Sequence, residues 1–261
     1  MRIQDAPTSP VSRFVESVHW VTRTRGRARR VDRLPDGRTA LVLRVVESER
    51  RGDVTVVGPR TRALLKDATG FLHAAVVRFK PGWSTPLLGV SANTLADAYV
   101  ALEDLWGRAG HDLLADLLGA RTAPDVIERV AYAFTRRIPR AFEPTSAGVA
   151  RRAATLMERG ESRVDRVADR LGVTARHLRR AFSENIGVTP KDFLRSVRLQ
   201  RALRMAATSS EWGRVAVEAG YYDQAHLIAD FRDLVGLTPV AFLRRASVVE
   251  PPASDEVGGD A

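Results

Sequence analysis

The sequence contains one stretch that is written almost twice, 49 residues apart. Residues 177–195 read HLRRAFSENIGVTPKDFLR, and residues 226–244 read HLIADFRDLVGLTPVAFLR. The positions that recur are His177, Leu178, Phe182, Gly187, Thr189, Pro190, Phe193, Leu194 and Arg195. Most of these residues are apolar or typical of turns, so the repeat predicts that each copy builds the same small core. The positions that differ are mainly those that a helix points outward.

The first copy predicts a helix, a short turn and a second helix. Apolar residues up to Leu171 fall on one helical face, and Gly172 then ends the helix because glycine adopts a positive φ without strain. Thr174 is placed to cap the second helix, in which Leu178 and Phe182 face inward. An ordinary helical hairpin in a core explains either copy taken alone. The presence of two copies favours a pair of DNA-binding helix-turn-helix units.

The segment between the two copies predicts a single helix. Residues 191–208 read KDFLRSVRLQRALRMAAT and contain neither proline nor glycine. A helix of about 17 residues is roughly 25 Å long. Two recognition helices joined by such a strut would lie about one DNA turn, ~34 Å, apart on one face of the duplex. The repeat therefore predicts one polypeptide that reads two successive major grooves.

The charge of the chain favours a negatively charged partner. The sequence has 41 basic and 31 acidic residues, a formal net charge of +10, and nucleic acid is the usual partner of such a protein. Residues 149–246 carry 18 basic and 11 acidic residues, and the preceding part of the chain has the same excess of +7. Charge therefore does not separate the domains.

The composition also excludes several classes of protein. The chain has no cysteine, which rules out disulfides, zinc sites with thiolate ligands and cysteine nucleophiles. Its first residues lack the apolar run of a secretory signal, and no window reaches the roughly eighteen consecutive apolar residues of a membrane span. We therefore expect a cytoplasmic protein that does not enter a membrane.

The pattern of apolar residues changes along the sequence and predicts two domains of different secondary-structure class. Short valine-rich runs separated by turns fill the first ninety residues, among them LPDGRTALVLRVV, GDVTVVG and FLHAAVVRF, and favour strands. We expect a β-rich regulatory or dimerisation domain at 1–140 with helices from about Asn93. A linker at 141–148, an all-helical domain at 149–246 and a disordered acidic tail at 247–261 complete the prediction.

The doubled motif resembles the AraC/XylS family of bacterial transcription regulators. The resemblance is carried by GVTARHLRRAFSENIGVTPKDFLRSVRLQRA and EAGYYDQAHLIADFRDLVGLTPVAFLRR and covers about residues 149–246. It implies a C-terminal domain of two helix-turn-helix units joined by a helix. The runs RLPDGRTALVL, VVGPRTR, VRFKPG and LEDLWG resemble poorly characterised N-terminal domains of an actinobacterial-type subset of such regulators. That likeness implies a cupin-like β-barrel followed by a helical pair, and hence an α+β chain.

The resemblance assigns base-reading positions to the first recognition helix. They correspond to Arg176, Arg179 and Arg180. Arginine contacts guanine O6 and N7 with two hydrogen bonds, so these residues predict a half-site that contains guanine. For at least one of the three, a solvated or phosphate-bound side chain is the alternative.

The second unit departs from the family pattern. Its corresponding positions are Gln224, Ala225, Ile228 and Ala229. Asp230 adds a negative charge close by, and the arginine that many relatives carry near this point is absent. Glutamine pairs with adenine and apolar side chains touch thymine methyl groups, so we expect the second unit to read sequence weakly.

Three threonines precede predicted helices. Thr174, Thr189 and Thr238 stand where a hydroxyl and the first backbone N–H groups of a helix can hold a phosphate. N-capping alone is the alternative for each of them.

No catalytic constellation and no cofactor motif is found in the sequence. The β-rich region offers His19 and His73, far apart and without a His-x-His spacing, and phosphate-binding loops and nucleophile elbows are missing. We therefore expect a protein that is not an enzyme and has no metal or cofactor.

Two functional hypotheses remain. The first is a sequence-specific regulator that binds double-stranded promoter or operator DNA and whose N-terminal domain senses a small-molecule effector or mediates association. A homodimer and contact with RNA polymerase would be further partners of that regulator. The alternative is a DNA-binding module fused to an unrecognised enzymatic or protein-interaction domain. Trp20, Arg62 and Trp83 are candidates for an effector pocket, with ordinary core or surface roles as their alternative.

Overall fold

The N-terminal domain is built on antiparallel β-sheet. The computed structural model describes residues 2–3, 10–22, 29–46, 51–68, 73–137, 144–209 and 211–247. The strands are β1 (Arg2–Ile3), β2 (Val15–Thr22), β3 (Arg29–Arg33), β4 (Ala40–Val45), β5 (Gly52–Val57), β6 (Leu64–Ala68), β7 (His73–Phe79) and β8 (Tyr99–Ala101). Six of them form one sheet in the order β1-β2-β7-β4-β5-β8. Strands β3 and β6 pair separately and are called the ribbon below.

Alternating burial along the strands shows why the sheet packs on one face. In β4, Leu41, Leu43 and Val45 are buried whereas Arg44 is exposed, as expected for a strand with one face on the core. Helices cover that core, and Phe134 from the last of them stacks on Phe79 with ring centroids 5.7 Å apart. These helices are α1 (Ser84–Leu88), α2 (Leu102–Trp106), α3 (Arg108–Leu118) and α4 (Ala123–Arg137).

The α+β class and the β-rich N-terminal domain are confirmed, with two local corrections. The predicted helix from Asn93 is wrong, because a 3-10 turn at Ala92–Leu95 is followed by Asp97 at φ 57°. The chain then adds β8 to the edge of the sheet, where Val100 pairs with Val56. The ribbon was not predicted, because its strands are rich in charged residues and lack clear alternation.

The rest of the described chain is helical. The helices are α5 (Thr145–Glu158), α6 (Val164–Arg170), α7 (Ala175–Ile186), α8 (Pro190–Ala206), α9 (Trp212–Ala219), α10 (Gln224–Val235) and α11 (Pro239–Ser247). The strut is α8, with the predicted length of 17 residues. Within the described ranges, none of the helices combines the length and hydropathy that crossing a bilayer requires.

The predicted boundaries of the helical domain need adjustment. Residues 141–143 of the predicted linker lie outside the described residues, and 145–148 already form the first turn of α5. Pro144 has an extended backbone and stands at the N-cap of α5, so the helix begins directly after it. The predicted tail lies outside the described residues except for its first residue, Ser247, which ends α11.

The two copies of the repeat build equivalent aromatic pairs. Phe182 and Phe193 meet edge to face at 5.4 Å in the first unit, and Phe231 and Phe242 meet at 5.8 Å in the second. All four side chains are buried. Buried aromatic pairs at the same repeat positions explain why these residues recur while the outward positions differ.

Candidate nucleic-acid interface

The first helix-turn-helix unit consists of α6, a four-residue turn and α7. Gly172 in the turn has φ 65°, and the Val173 amide donates to the Ala168 carbonyl at 3.1 Å. The Thr174 hydroxyl caps α7 by accepting the His177 amide at 3.1 Å. The turn and the cap together fix where the recognition helix α7 begins.

The three predicted base-reading arginines are all exposed on α7, but they are not equivalent. Arg176 and Arg179 make no hydrogen bond or ion pair with any part of the chain that the structure describes. Arg180 donates from Nε to the Glu184 carboxylate at 2.7 Å, although 79% of its side chain is exposed. The first two guanidinium groups are therefore uncommitted, whereas Arg180 has to leave a surface ion pair before it can contact DNA.

The second unit repeats the design in α9, a four-residue turn and α10. Gly220 ends α9 at φ 95°, and Asp223 caps α10 by accepting the His226 amide at 2.7 Å. Asp223 was missed by the sequence analysis, although the 49-residue offset places it opposite Thr174. The neighbouring Tyr222 is 88% exposed and was missed as well, because a tyrosine in a turn has no distinctive pattern.

The predicted contact positions of α10 divide into exposed and packed residues. Gln224, Ala225 and Ala229 are exposed. Ile228 is half-buried and packs against the small apolar core that α9 shares with α10, which includes Leu227. Ile228 therefore has only part of its side chain available to DNA.

Asp230 is buried, so the negative charge that the sequence places close to the contact positions is not part of the exposed surface. Its carboxylate is buried and accepts from Arg195 Nε of the strut at 2.6 Å, with Arg198 at 3.8 Å. Burial and the Asp230 charge raise the pKa of the adjacent Tyr221 phenol. Asp230 joins α10 to α8, and Asp233 accepts from the same Arg195 at 2.6 Å on the exposed side.

Thr189 and Thr238 also begin helices. The Thr189 hydroxyl accepts the Asp192 amide at 3.1 Å and donates to the Asp192 carboxylate at 2.6 Å. The Thr238 hydroxyl accepts the Ala241 amide at 3.2 Å. Capping is therefore visible at all three threonines, and phosphate contacts by their helix ends stay a prediction.

The structure does not bring the three effector candidates together. Trp20 stacks on His73 within the sheet, and Arg62 pairs with Asp233 of α10 at 3.1 Å. Trp83 lines two cavities at the boundary between the two domains. Among the residues described, no three histidine, aspartate or glutamate side chains gather as metal ligands.

Comparison with known families matches both domains separately. A family model described as a helix-turn-helix domain matches residues 167–245, and one described as a domain of unknown function (DUF6597) matches residues 4–101. A search of curated proteins found no match.

Three solved structures illustrate what the chain is similar to. The C-terminal domain of AraT, a response regulator from Geobacillus stearothermophilus, is 21% identical, with 43% of this chain and 96% of that one covered, at a TM-score of 0.37. An AraC-type regulator from Chromobacterium violaceum is 25% identical, with 41% and 96% covered, at 0.36. ToxT from Vibrio cholerae with a bound unsaturated fatty acid is 10% identical, with 90% and 96% covered, at 0.47.

The helix-turn-helix match extends from α6 to α11 and so includes both units and the strut between them. Each unit has the turn, a capped second helix and a buried aromatic pair, so both copies build the same small core, as the repeat predicts. The C-terminal domain is therefore a helix-turn-helix domain of the AraC type, and the match that shows it covers residues 167–245.

Proposed function

We propose that the first unit reads bases in promoter DNA, while the second unit contributes mainly contacts to phosphates. The observation that carries this proposal is the contrast between two uncommitted arginines on α7, Arg176 and Arg179, and the apolar residues Ala225 and Ile228 at the matching positions of α10. An N-terminal position on a recognition helix faces base edges in the major groove.

The chemistry of the side chains supports the asymmetry. Arg176 and Arg179 each present a fixed fork of N–H donors that matches guanine O6 and N7. Among the four predicted contact positions of α10, only Gln224 has hydrogen-bonding groups for a base edge, and Ala225 and Ala229 offer only methyl contacts. Phosphate contacts from the second unit would position the protein without adding much sequence information.

The test is an affinity measurement with the full-length chain. We expect Arg179→Ala to cost about 1 to 3 kcal/mol on the preferred duplex and less on unrelated DNA. Arg108→Ala is the matched control, because Arg108 is also exposed and begins α3 in the N-terminal domain. An equal loss for the two variants would mean that Arg179 contributes only charge.

We also propose that a small molecule acts at the boundary between the domains. Two adjoining cavities of about 510 and 270 Å³ share Trp83 of the N-terminal domain with Arg151 and Thr155 of α5. The Arg151 guanidinium lies 3.9 Å from the centroid of the Trp83 ring, and Arg152 and Arg170 also line the larger cavity. The smaller cavity adds Lys80 together with the carboxylates of Glu16 and Glu158. Basic groups beside an indole suit a carboxylate with an apolar body, and the volume is within the range of ligand sites.

Thermal-shift measurements with a panel of aromatic and aliphatic carboxylates test the effector site. A ligand is expected to raise the melting temperature of the full-length chain, and Arg151→Ala should remove that shift. Arg159→Ala, at the end of the same helix and outside both cavities, is the control. A shift that survives Arg151→Ala would place the ligand elsewhere.

We also propose that two copies of the chain associate through the N-terminal domain. The α3/α4 face carries Tyr132, which is exposed beside a groove between the two helices, and this face is our candidate for contact with a second copy. Light scattering of the full-length chain and of Tyr132→Ala measures the oligomeric state. Contact with RNA polymerase is proposed on the family resemblance.

A further inference from the structure

We propose that the N-terminal domain sets the separation of the two recognition helices, because it holds the C-terminal ends of both and the middle of the strut. Its positioning residues are Ser91, Leu65 and Gly37. The proposal concerns geometry, so one arm of its test needs no DNA and stays informative whether or not the proposed base reading holds.

The first contact is at the end of α7. The Ser91 hydroxyl donates to the Glu184 carbonyl at 3.0 Å, and the Thr85 hydroxyl reaches the Asn185 carbonyl at a longer 3.5 Å. Carbonyls in the last turn of a helix have no partner within the helix. At Gly187, which ends α7, an added Cβ would lie 2.5 Å from the Ala92 carbonyl oxygen. The N-terminal domain therefore packs directly against this helix end.

The second contact is at the end of α10. The Ala63 amide donates to the Leu234 carbonyl at 2.7 Å, which again satisfies a last-turn carbonyl. Leu65 of the ribbon strand β6 packs here, together with Leu34 and Ala63, which lie directly beside the ribbon strands. These residues contact an apolar cluster that consists of Phe231, Leu234, Val235 and Phe242. The ion pair between Arg62 and Asp233 is exposed and adds little.

The third contact is on the strut. Gln200 Nε2 donates to the Pro35 carbonyl at 3.0 Å. Gly37, at φ 64°, lies so close to α8 that an added Cβ would be 2.4 Å from Phe193 Cδ2. The strut therefore lies against the N-terminal domain, and at Gly37 the contact leaves no room for a methyl group.

These three contacts leave the other ends of the recognition helices exposed. Arg176 and Arg179 on α7 and Gln224 and Ala225 on α10 are all exposed near the helix N-termini. A helix-turn-helix protein inserts that end into the major groove. When two binding modules are joined, affinity depends on whether their separation matches the spacing of the two sites. A domain that fixes the separation should therefore make binding sensitive to half-site spacing.

Two variants weaken the contacts between the N-terminal domain and the helix-turn-helix units in different ways. Gly37→Ala inserts a methyl group between the N-terminal domain and the strut. Gly89→Ala is its control, because Gly89 also has a positive φ, 77°, but its nearest neighbour is Arg137 Nη2 at an ordinary 3.6 Å. Ser91→Ala combined with Leu65→Ala weakens the contacts at both helix ends without adding strain. Ser91→Thr with Leu65→Met keeps the hydroxyl and most of the apolar volume and should restore the wild-type result.

The arm without DNA measures the separation directly. The chain has no cysteine, so spin labels attach only at His177→Cys on α7 and Ala229→Cys on α10, two exposed positions. We expect one narrow distance distribution in this labelled background. Adding Gly37→Ala or the double variant should broaden or shift it, and adding Gly89→Ala should not. An unchanged distribution in both loosened proteins would overturn the proposal. If Gly37→Ala fails to fold, the double variant decides by itself, and an unchanged distribution in it would overturn the proposal.

The arm with DNA uses the duplex that wild type selects from a random library. Insertion of two base pairs between the half-sites should lower wild-type affinity by about tenfold or more, and should lower that of the loosened variants by only a few-fold. A variant that loses affinity by the same factor at every spacing would contradict the inference, because a general folding defect acts in that way. If wild type binds no DNA, the base-reading proposal fails and the distance measurement alone decides the positioning.

Discussion

The buried Asp230 should be far more important for stability than its exposed neighbour Asp233. Both carboxylates contact Arg195 at 2.6 Å, but Asp230 is 8% exposed and Asp233 is 46% exposed. The same guanidinium thus provides an internal comparison between a buried and a surface ion pair. We predict that the less exposed carboxylate, Asp230, contributes more to the free energy of unfolding than the more exposed Asp233.

The size of the effect follows from burial. Removing one partner of a buried pair costs about 3 to 5 kcal/mol, and a surface pair contributes about 0 to 1 kcal/mol. In Asp230→Ala, Arg195 keeps Asp233 and some contact with water, so we expect the lower end, about 3 kcal/mol. Asp233→Ala should cost less than about 1 kcal/mol.

Hydrogen exchange of the full-length chain measures both effects where they occur. A loss of about 3 kcal/mol corresponds to roughly a hundredfold loss of protection in α10 peptides. We expect that loss in Asp230→Ala, a smaller one in Asp230→Asn and almost none in Asp233→Ala. If Asp233→Ala reduced protection as much as Asp230→Ala, the assignment of the buried pair as the link between α10 and α8 would be refuted.

Three further predictions concern DNA binding and helix capping. In a binding-site selection, Arg179→Ala should relax preference at one base pair, whereas Ile228→Ala should leave the motif nearly unchanged. A broader motif for Ile228→Ala would contradict the asymmetry. Thr174→Ala and Asp223→Ala should each cost about 1 kcal/mol in urea denaturation, and a negligible cost for both would show that the caps are dispensable. The affinity for duplex DNA should fall by orders of magnitude between low and physiological salt, and a flat salt titration would argue against phosphate contacts.

The helix-turn-helix units could be predicted because their signals repeat. Leu178 and Leu227, and Phe182 and Phe231, occur at the same helical positions in both copies and are all buried. Thr174 was recognised as a cap from its residue type. Asp223 was available from the same 49-residue offset and should have been assigned with it.

The contacts between the domains could not be predicted, because they depend on isolated groups. A backbone amide such as that of Ala63 and a single hydroxyl such as that of Ser91 leave no periodic pattern in a sequence. The helix predicted from Asn93 failed for a related reason. The positive φ of Asp97 and the pairing of Val100 with β5 are tertiary effects that override local helical spacing.

The contact between the N-terminal domain and the end of α10 joins residues that are far apart in the sequence, and this separation predicts when the contact forms during folding. Arg62 and Asp233 are 171 residues apart, whereas each helix-turn-helix core forms from residues within a few tens of positions. Local contacts form faster than those that must close a long loop. Docking of α10 and α11 on the ribbon should therefore be a late step of folding. Until it is complete, Phe242 and its apolar neighbours lack their cover, and this interval is when the nascent regulator should be most prone to aggregation.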